Sequence, residues 1–187
     1  INDLKNITIR RELPALDTHH EEWSGNWYNL NLRTRDTRDL LAFLRPGLYI
    51  ADNTVLNLGI SREGLLDAHL TSQRLALGNK YMRDVDLKAD NTIDNLTAHL
   101  VTSEIKLPQL RTDATDMLFF CEDNRVTLGF SYDNNHGSGN KGDVYIKGYL
   151  SRNDDNILCI DADLIPSKIF FNGSQWILSG KELNMTG

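Results

Sequence analysis

The sequence predicts a mainly β protein, with antiparallel hairpin repeats in a rolled, taco-like or sandwich-like sheet and one short helix. Three observations lead there. Period-two alternation dominates the chain. Leu66, Ala68 and Leu70 alternate with Asp67, His69 and Thr71, and Val126, Leu128 and Phe130 alternate with Thr127, Gly129 and Ser131. The alternating segments also recur. "LDAHLTSQRLAL" begins at Leu66 and "LTAHLVTSEIKL" begins thirty residues on at Leu96; the next step lands on Val126. Leu75 and Leu77 match Ile105 and Leu107 at the same offset. Self-similarity at a fixed period marks stacked two-strand units. Finally, short turn signals separate the runs: Arg62-Glu63-Gly64, Asp123-Asn124 and Asn172-Gly173.

In chain order, about eleven strands are expected between Leu4 and Leu178. One helix interrupts them early. Asp36 or Thr37 caps it, Leu40, Leu41, Phe43 and Leu44 form its apolar stripe, and Pro46-Gly47 ends it. At about two turns it cannot stand alone, so it is expected to plug an end of the sheet or lie in its concavity. The Gly- and Asn-rich stretch from Asp133 to Asp143 reads as a hairpin loop. It is not a phosphate cradle, because no helix follows it. Near the end, Leu158, Ile160, Ala162 and Leu164 share one parity, and Ile169 and Phe171 have the other. Pro166 lies between them; lacking an N–H, it breaks the ladder and resets which residues face the apolar side. A two-residue turn at Asn172-Gly173 then pairs Phe171 with Ser174 and Ile169 with Trp176.

Composition narrows the function. The 187 residues suit one β-rich domain over 1–187, or one slice of a larger repeat protein; with no signal peptide and Ile1 first, the chain reads as a mature product or an excised fragment. Net charge is −6 and basic residues are scattered, which argues against nucleic acid. The nearest basic cluster, Arg33, Arg35 and Arg38, is diluted by Asp36 and Asp39. No run approaches the roughly 18 apolar residues of a membrane helix. Cys121 and Cys159 read as two small buried hydrophobes rather than a disulfide.

Catalytic patterns are sparse. Asp161 and Asp163 could share a strand face at the separation of a carboxylate pair, but they equally form the wet side of a strand whose dry side is Ile160, Ala162 and Leu164. Glu21/Glu22 and Asp154/Asp155 are the other acidic pairs. His19-His20-Glu21-Glu22 lacks metal-site spacing, and His69 and His99 recur on the wet face without a third ligand. No nucleophile motif is present. N-x-S/T triplets begin at Asn6, Asn95, Asn172 and Asn184. Neither catalysis, metal nor cofactor is expected. One alternative is a closed β-sandwich that binds carbohydrate through Trp23, Trp27 and Tyr28.

"FLRPGLYIADNT" (Phe43–Thr54), "FSYDNN" (Phe130–Asn135) and "DLIPSKIFFNGSQWIL" (Asp163–Leu178) resemble, in order and spacing, segments of the TamB-like translocation and assembly module proteins, in the AsmA-like group, of Bacteroidetes-type Gram-negative bacteria. The resemblance covers roughly Leu40 to Leu178. It implies an internal slice of a long periplasmic protein anchored in the inner membrane, with its β-sheet rolled into an apolar groove. It also implies a role in outer-membrane protein assembly or phospholipid transport between membranes. The implied partners are lipid acyl chains and, through other parts of the parent chain, an outer-membrane assembly protein. The expected groove lining is Leu66, Ala68, Leu70, Leu96, Ala98, Leu100, Val126, Leu128 and Phe130, a set that no charge interrupts.

Overall fold

A computed structural model describes residues 12–16, 25–92, 95–108, 110–134, 140–171, 174–178 and 183–186. Its strands are β1 (Tyr28–Arg33), β2 (Leu48–Ile50), β3 (Val55–Ile60), β4 (Leu66–Leu77), β5 (Lys80–Asn91), β6 (Leu96–Lys106) and β7 (Arg111–Glu122). They continue as β8 (Arg125–Asn134), β9 (Asn140–Arg152), β10 (Leu158–Ile165), β11 (Ser167–Phe171), β12 (Ser174–Leu178) and β13 (Leu183–Thr186). All belong to one antiparallel sheet whose main path runs β1-β3-β4-β5-β6-β7-β8-β9-β10-β13. The two ends of that path do not pair, so the sheet is open. The second layer that a sandwich needs is not built by the described residues. The strand expected near Leu4 lies outside them.

Register fixes which residues share a face. One cross-strand row runs Leu32, Leu56, Leu70, Leu87, Leu100, Met117, Phe130, Val144. A second runs Leu30, Leu58, Ala68, Ala89, Ala98, Phe119, Leu128, Ile146, Leu164. Leu100 and Phe130 follow Leu70 at successive steps of thirty residues, and Met117 follows Leu87 likewise. The sequence repeat is therefore a structural one: each two-strand unit lays the next copy of the same row.

Alternation breaks at one level. In β4 and β5 the ladder is interrupted between Gln73 and Asp84, and in β6 and β7 between Ser103 and Ala114. Asp84 and Ala114, thirty residues apart, both take positive φ, +47 and +43. A hydroxyl replaces the missing ladder bonds at both places. Ser72 Oγ donates to the Arg74 carbonyl (3.1 Å) and accepts from the Arg74 N–H (3.3 Å); Thr102 Oγ1 does the same with Glu104 (3.1 and 3.3 Å). These residues form a crease across the sheet, where Ser72, Val85, Thr102 and Thr115 are buried. Beyond the crease parity shifts, so Leu75, Leu77 and Ile105 stay on the side of Leu70.

Pro166 acts as the sequence predicts. Ile165 pairs with Tyr145, but Ile169 pairs with Gly142, one residue out of the earlier register. The β11–β12 hairpin pairs Phe171 with Ser174 and Ile169 with Trp176, as expected. Its Asn172-Gly173 turn lies outside the described residues. At the other predicted two-residue turn, Asp123 and Asn124 both have positive φ (44 and 61), which a type I′ turn requires.

The helix, α1 (Arg38–Leu44), forms where expected. Thr37 occupies the N-cap without a side-chain cap bond, and Asp36 Oδ1 accepts the Arg38 N–H at 3.4 Å. It does not fill the sheet's concavity, however. Its main neighbour is β2, and Phe43 is 85% exposed. Pro46-Gly47 turns the chain straight into β2, and Gly47 O accepts the Gly78 N–H at 2.8 Å, which ties this corner to the turn after β4.

Candidate functional site: an open apolar trough

All nine residues expected to line a groove lie on one face of the sheet, on β4, β6 and β8. None is fully buried, and Leu128 is 41% exposed. The intervening strands extend the face with Leu87, Ala89, Met117 and Phe119. No charged side chain enters the two long rows. Leaving such a surface wet forfeits about 1.5–3 kcal/mol for each large side chain, so the face favours an apolar occupant.

The face is curled. Leu32 on β1 and Ile105 on β6 border the same cavity, of about 480 Å³. These strands are four steps apart, roughly 19 Å along a flat sheet, so only a rolled sheet brings them to one space. Of the nine expected lining residues, only Leu70 borders this cavity. Its other walls include Leu48, Ile50, Leu75, Leu77, Met82 and Leu107. The sequence carried a signal for these residues: the offset that matched Leu75 and Leu77 to Ile105 and Leu107. The parity break before them concealed that they continue the same face.

One end of the trough is covered by the chain itself. Leu13 and Ala15, around a 3-10 turn at Pro14–Leu16, bury against Cys121 and Leu150, with Leu96, Val126 and Phe119 packed alongside. Asn124 clamps this segment: its N–H donates to Glu12 O (2.8 Å), and its Oδ1 accepts the Ala15 N–H (2.8 Å). Arg152 Nε donates to Ala15 O at 2.8 Å. Leu96 and Val126 thus pack against a cap, whereas Leu70 and its row neighbours face open space.

Cys121 and Cys159 are both free. Cys121 is buried as expected, but Cys159 is half-buried at the start of β10. Burial first, and the Glu12 charge second, push the Cys121 thiol up to about 11. Because the thiolate is the reactive form, iodoacetamide at pH 8 is expected to label Cys159 in the native protein and Cys121 only after unfolding. Mass spectrometry of the alkylated peptides checks this. Equal native labelling would contradict the capped end.

The opposite face is more polar, though Val101, Leu118, Tyr145 and Tyr149 are exposed on it. His69 Nε2 bonds Asp86 Oδ1 (2.9 Å), and His99 Nε2 bonds Asp116 Oδ1 (3.0 Å). The repeat thus produces two His–Asp pairs rather than a histidine ladder. Among the described residues no three potential metal ligands cluster. Asp161 and Asp163 sit on this face beside Tyr149 and Lys147, behind the dry Ala162 and Leu164. His19, His20, Glu21, Glu22 and Trp23 lie outside the described residues. Trp27 is 61% exposed, and with Tyr28 it borders a separate, more polar depression near Asp67, Asp90 and Asn91.

Past the crease, the outer face carries a buried carboxylate. Glu104 accepts from Arg111 Nε (2.8 Å), Arg83 Nε (3.3 Å) and the Tyr81 hydroxyl (2.6 Å). The hydrogen bond to Glu104 raises the Tyr81 pKa, reinforced by desolvation and the Glu104 charge. The phenol therefore keeps its proton to higher pH than an ordinary tyrosine. Any stability from this bond is present below about pH 10 and fades as pH rises through the raised value. Burial also raises the Tyr132 pKa, so the phenolate absorbance titration is read in Tyr132→Phe, where Tyr81 supplies the late step. Adding Glu104→Gln is expected to move that step down towards the ordinary tyrosine range; an unmoved step would refute the link.

No protein-family model, curated protein or solved structure matches the chain.

Proposed function

We propose that this protein is a non-catalytic scaffold whose open β-trough shelters lipid acyl chains. In this reading it is a periplasmic part of a translocation and assembly module protein, acting in outer-membrane protein assembly or in phospholipid transport between membranes. The observation that carries the proposal is the pair of uncharged apolar rows that cross eight or nine strands on one half-exposed face. Sheets normally cover such a face with a second layer. Here the described residues cover only one end. The curled cavity of about 480 Å³ is within the range of small-molecule sites, and its lining is mostly Leu, Ile and Met. Native mass spectrometry of protein purified without detergent is expected to show co-purified phospholipid or fatty acid. Protein that carries none, and takes up none from added vesicles, would refute the reading.

A second reading draws on the exposed Trp27 and Tyr28 beside Asp67, Asp90 and Asn91. Aromatic rings with polar neighbours suit a sugar face. Glycan-array binding that disappears in Trp27→Ala would favour it over the lipid reading.

A further inference from the structure

We propose that one lip of the sheet docks end-on against an anionic lipid bilayer. This lip is built from three adjoining turns: residues 45–47 before β2, 78–79 between β4 and β5, and 107–110 between β6 and β7. Register and hydrogen bonds hold them side by side. Gly47 O accepts the Gly78 N–H, Leu77 pairs with Lys80, Tyr81 pairs with Lys106, and the Leu107 N–H donates to Leu110 O at 2.7 Å. Helix α1 ends here too. The Thr37 hydroxyl at its start donates to Ile50 O (3.3 Å), at the far end of β2. The helix therefore runs back along β2 and delivers Phe43 and Leu44 to the Gly47 corner.

Two properties set this lip apart. It exposes large apolar side chains: Phe43 and Leu44 are 85% and 64% exposed, with Leu77, Leu107 and Leu110 exposed beside them. Its charges also have one sign. Residues 43–47, 77–80 and 106–111 include Arg45, Lys80, Lys106 and Arg111 but no carboxylate, in a chain of net charge −6. Arg111 is held by Glu104, whereas among the described residues no ion pair engages Arg45, Lys80 or Lys106. Lys80 stands on the inner face and Lys106 on the outer, a division that matters to a ligand inside the cavity but not to a plane that meets the strand ends. The opposite lip is the contrast: its turns at 61–65, 123–124 and 153–157 carry Glu63, Asp123, Asp154 and Asp155 against Arg62 alone. Scattered surface leucines need no explanation, but apolar tips among unpaired cations match a partner with an apolar interior beneath a negative surface. Phe43 and Leu44 enter the head-group boundary, and the long stems of Arg45, Lys80 and Lys106 carry their charges to the phosphates. Leu77 and Leu107 also line the cavity, so docking brings its wall to the bilayer. That consequence rests on the trough reading above; the docking does not.

The test floats the full chain with vesicles of phosphatidylcholine, alone or mixed with phosphatidylglycerol. Partitioning is expected to be at least about tenfold stronger on the anionic vesicles and to weaken as added salt screens the charges. Arg45→Gln/Lys80→Gln/Lys106→Gln is expected to remove most of that preference. Phe43→Ser/Leu44→Ser is expected to weaken partitioning by at least about tenfold. Neither residue borders the cavity, so uptake of the neutral hydrocarbon diphenylhexatriene by this variant is expected to match the native chain. No partitioning, equal partitioning on both vesicles, a preference that survives in the charge variant, or native partitioning by the Phe43/Leu44 variant each overturns the docking. Any of these with probe uptake intact leaves the trough standing, and docking without probe uptake overturns the trough alone. Self-association in sedimentation that the Phe43/Leu44 variant abolishes, without vesicle binding, overturns the bilayer in favour of a second copy.

Discussion

Leu70→Asp is expected to weaken binding of apolar probes by at least tenfold, a change of about 1.4 kcal/mol or more. Leu70 is the one expected lining residue that also borders the 480 Å³ cavity, and it sits in its row between Leu56 and Leu87. An aspartate there has a side chain too short to lift its carboxylate clear of the apolar wall, and no cation shares the row to neutralise it. The position is half-exposed, so the fold is expected to lose only about 1–3 kcal/mol, and the comparison remains readable. Leu70→Met conserves volume and is expected to bind as the native chain does. Lys88→Gln changes the polar face one strand away and is expected to leave probe binding unaltered. Probe fluorescence, with denaturant melts for each variant, decides the matter. Native-like binding by a folded Leu70→Asp protein would mean that occupants sit elsewhere.

The second large effect is structural. Gly142→Ala is expected to cost about 1–3 kcal/mol, because the new methyl has nowhere to go. A Cβ on Gly142 would lie 2.6 Å from Ile169 Cγ2 and 2.9 Å from Ile169 Cβ. The second of these atoms is anchored to the β11 backbone, so relief requires the β11–β12 hairpin to move off β9. Faster proteolysis at that hairpin is expected to accompany the loss. Ile169→Gly removes both Cγ2 and Cβ, and with them most of the conflict. The double variant should therefore be more stable than the two single losses summed, by about 0.5–3 kcal/mol. Strict additivity would show that the crowding at Gly142 has no energetic weight.

The parts of this fold that were legible in the sequence are those set by local pattern. Alternation at Leu66, Ala68 and Leu70 gave the dry face, because a strand's side chains must point to opposite sides. The thirty-residue offset gave the stacking, and Pro166 gave the change of parity before Ile169. What stayed hidden depends on cross-strand events. The crease follows from left-handed backbone at Asp84 and Ala114, residues that carry no glycine to announce it. For the same reason the offset that matches Leu75 to Ile105 and Leu77 to Leu107 does not show that these residues wall the cavity. The cap formed by Leu13 and Ala15 depends on Asn124 and Arg152, more than a hundred residues away. The sequence places α1 along the chain but leaves open where it docks, because two helical turns carry too little apolar surface to dictate a site.

The thirty-residue advance that links Leu70 to Leu100 and Leu87 to Met117 makes girth a matter of copy number. Each two-strand unit adds roughly 10 Å of sheet in the stacking direction. Strands four steps apart already border one space, so a further unit would wrap more wall around it. A duplicated or deleted unit would thus widen or narrow the gutter while every strand kept its own local pairing.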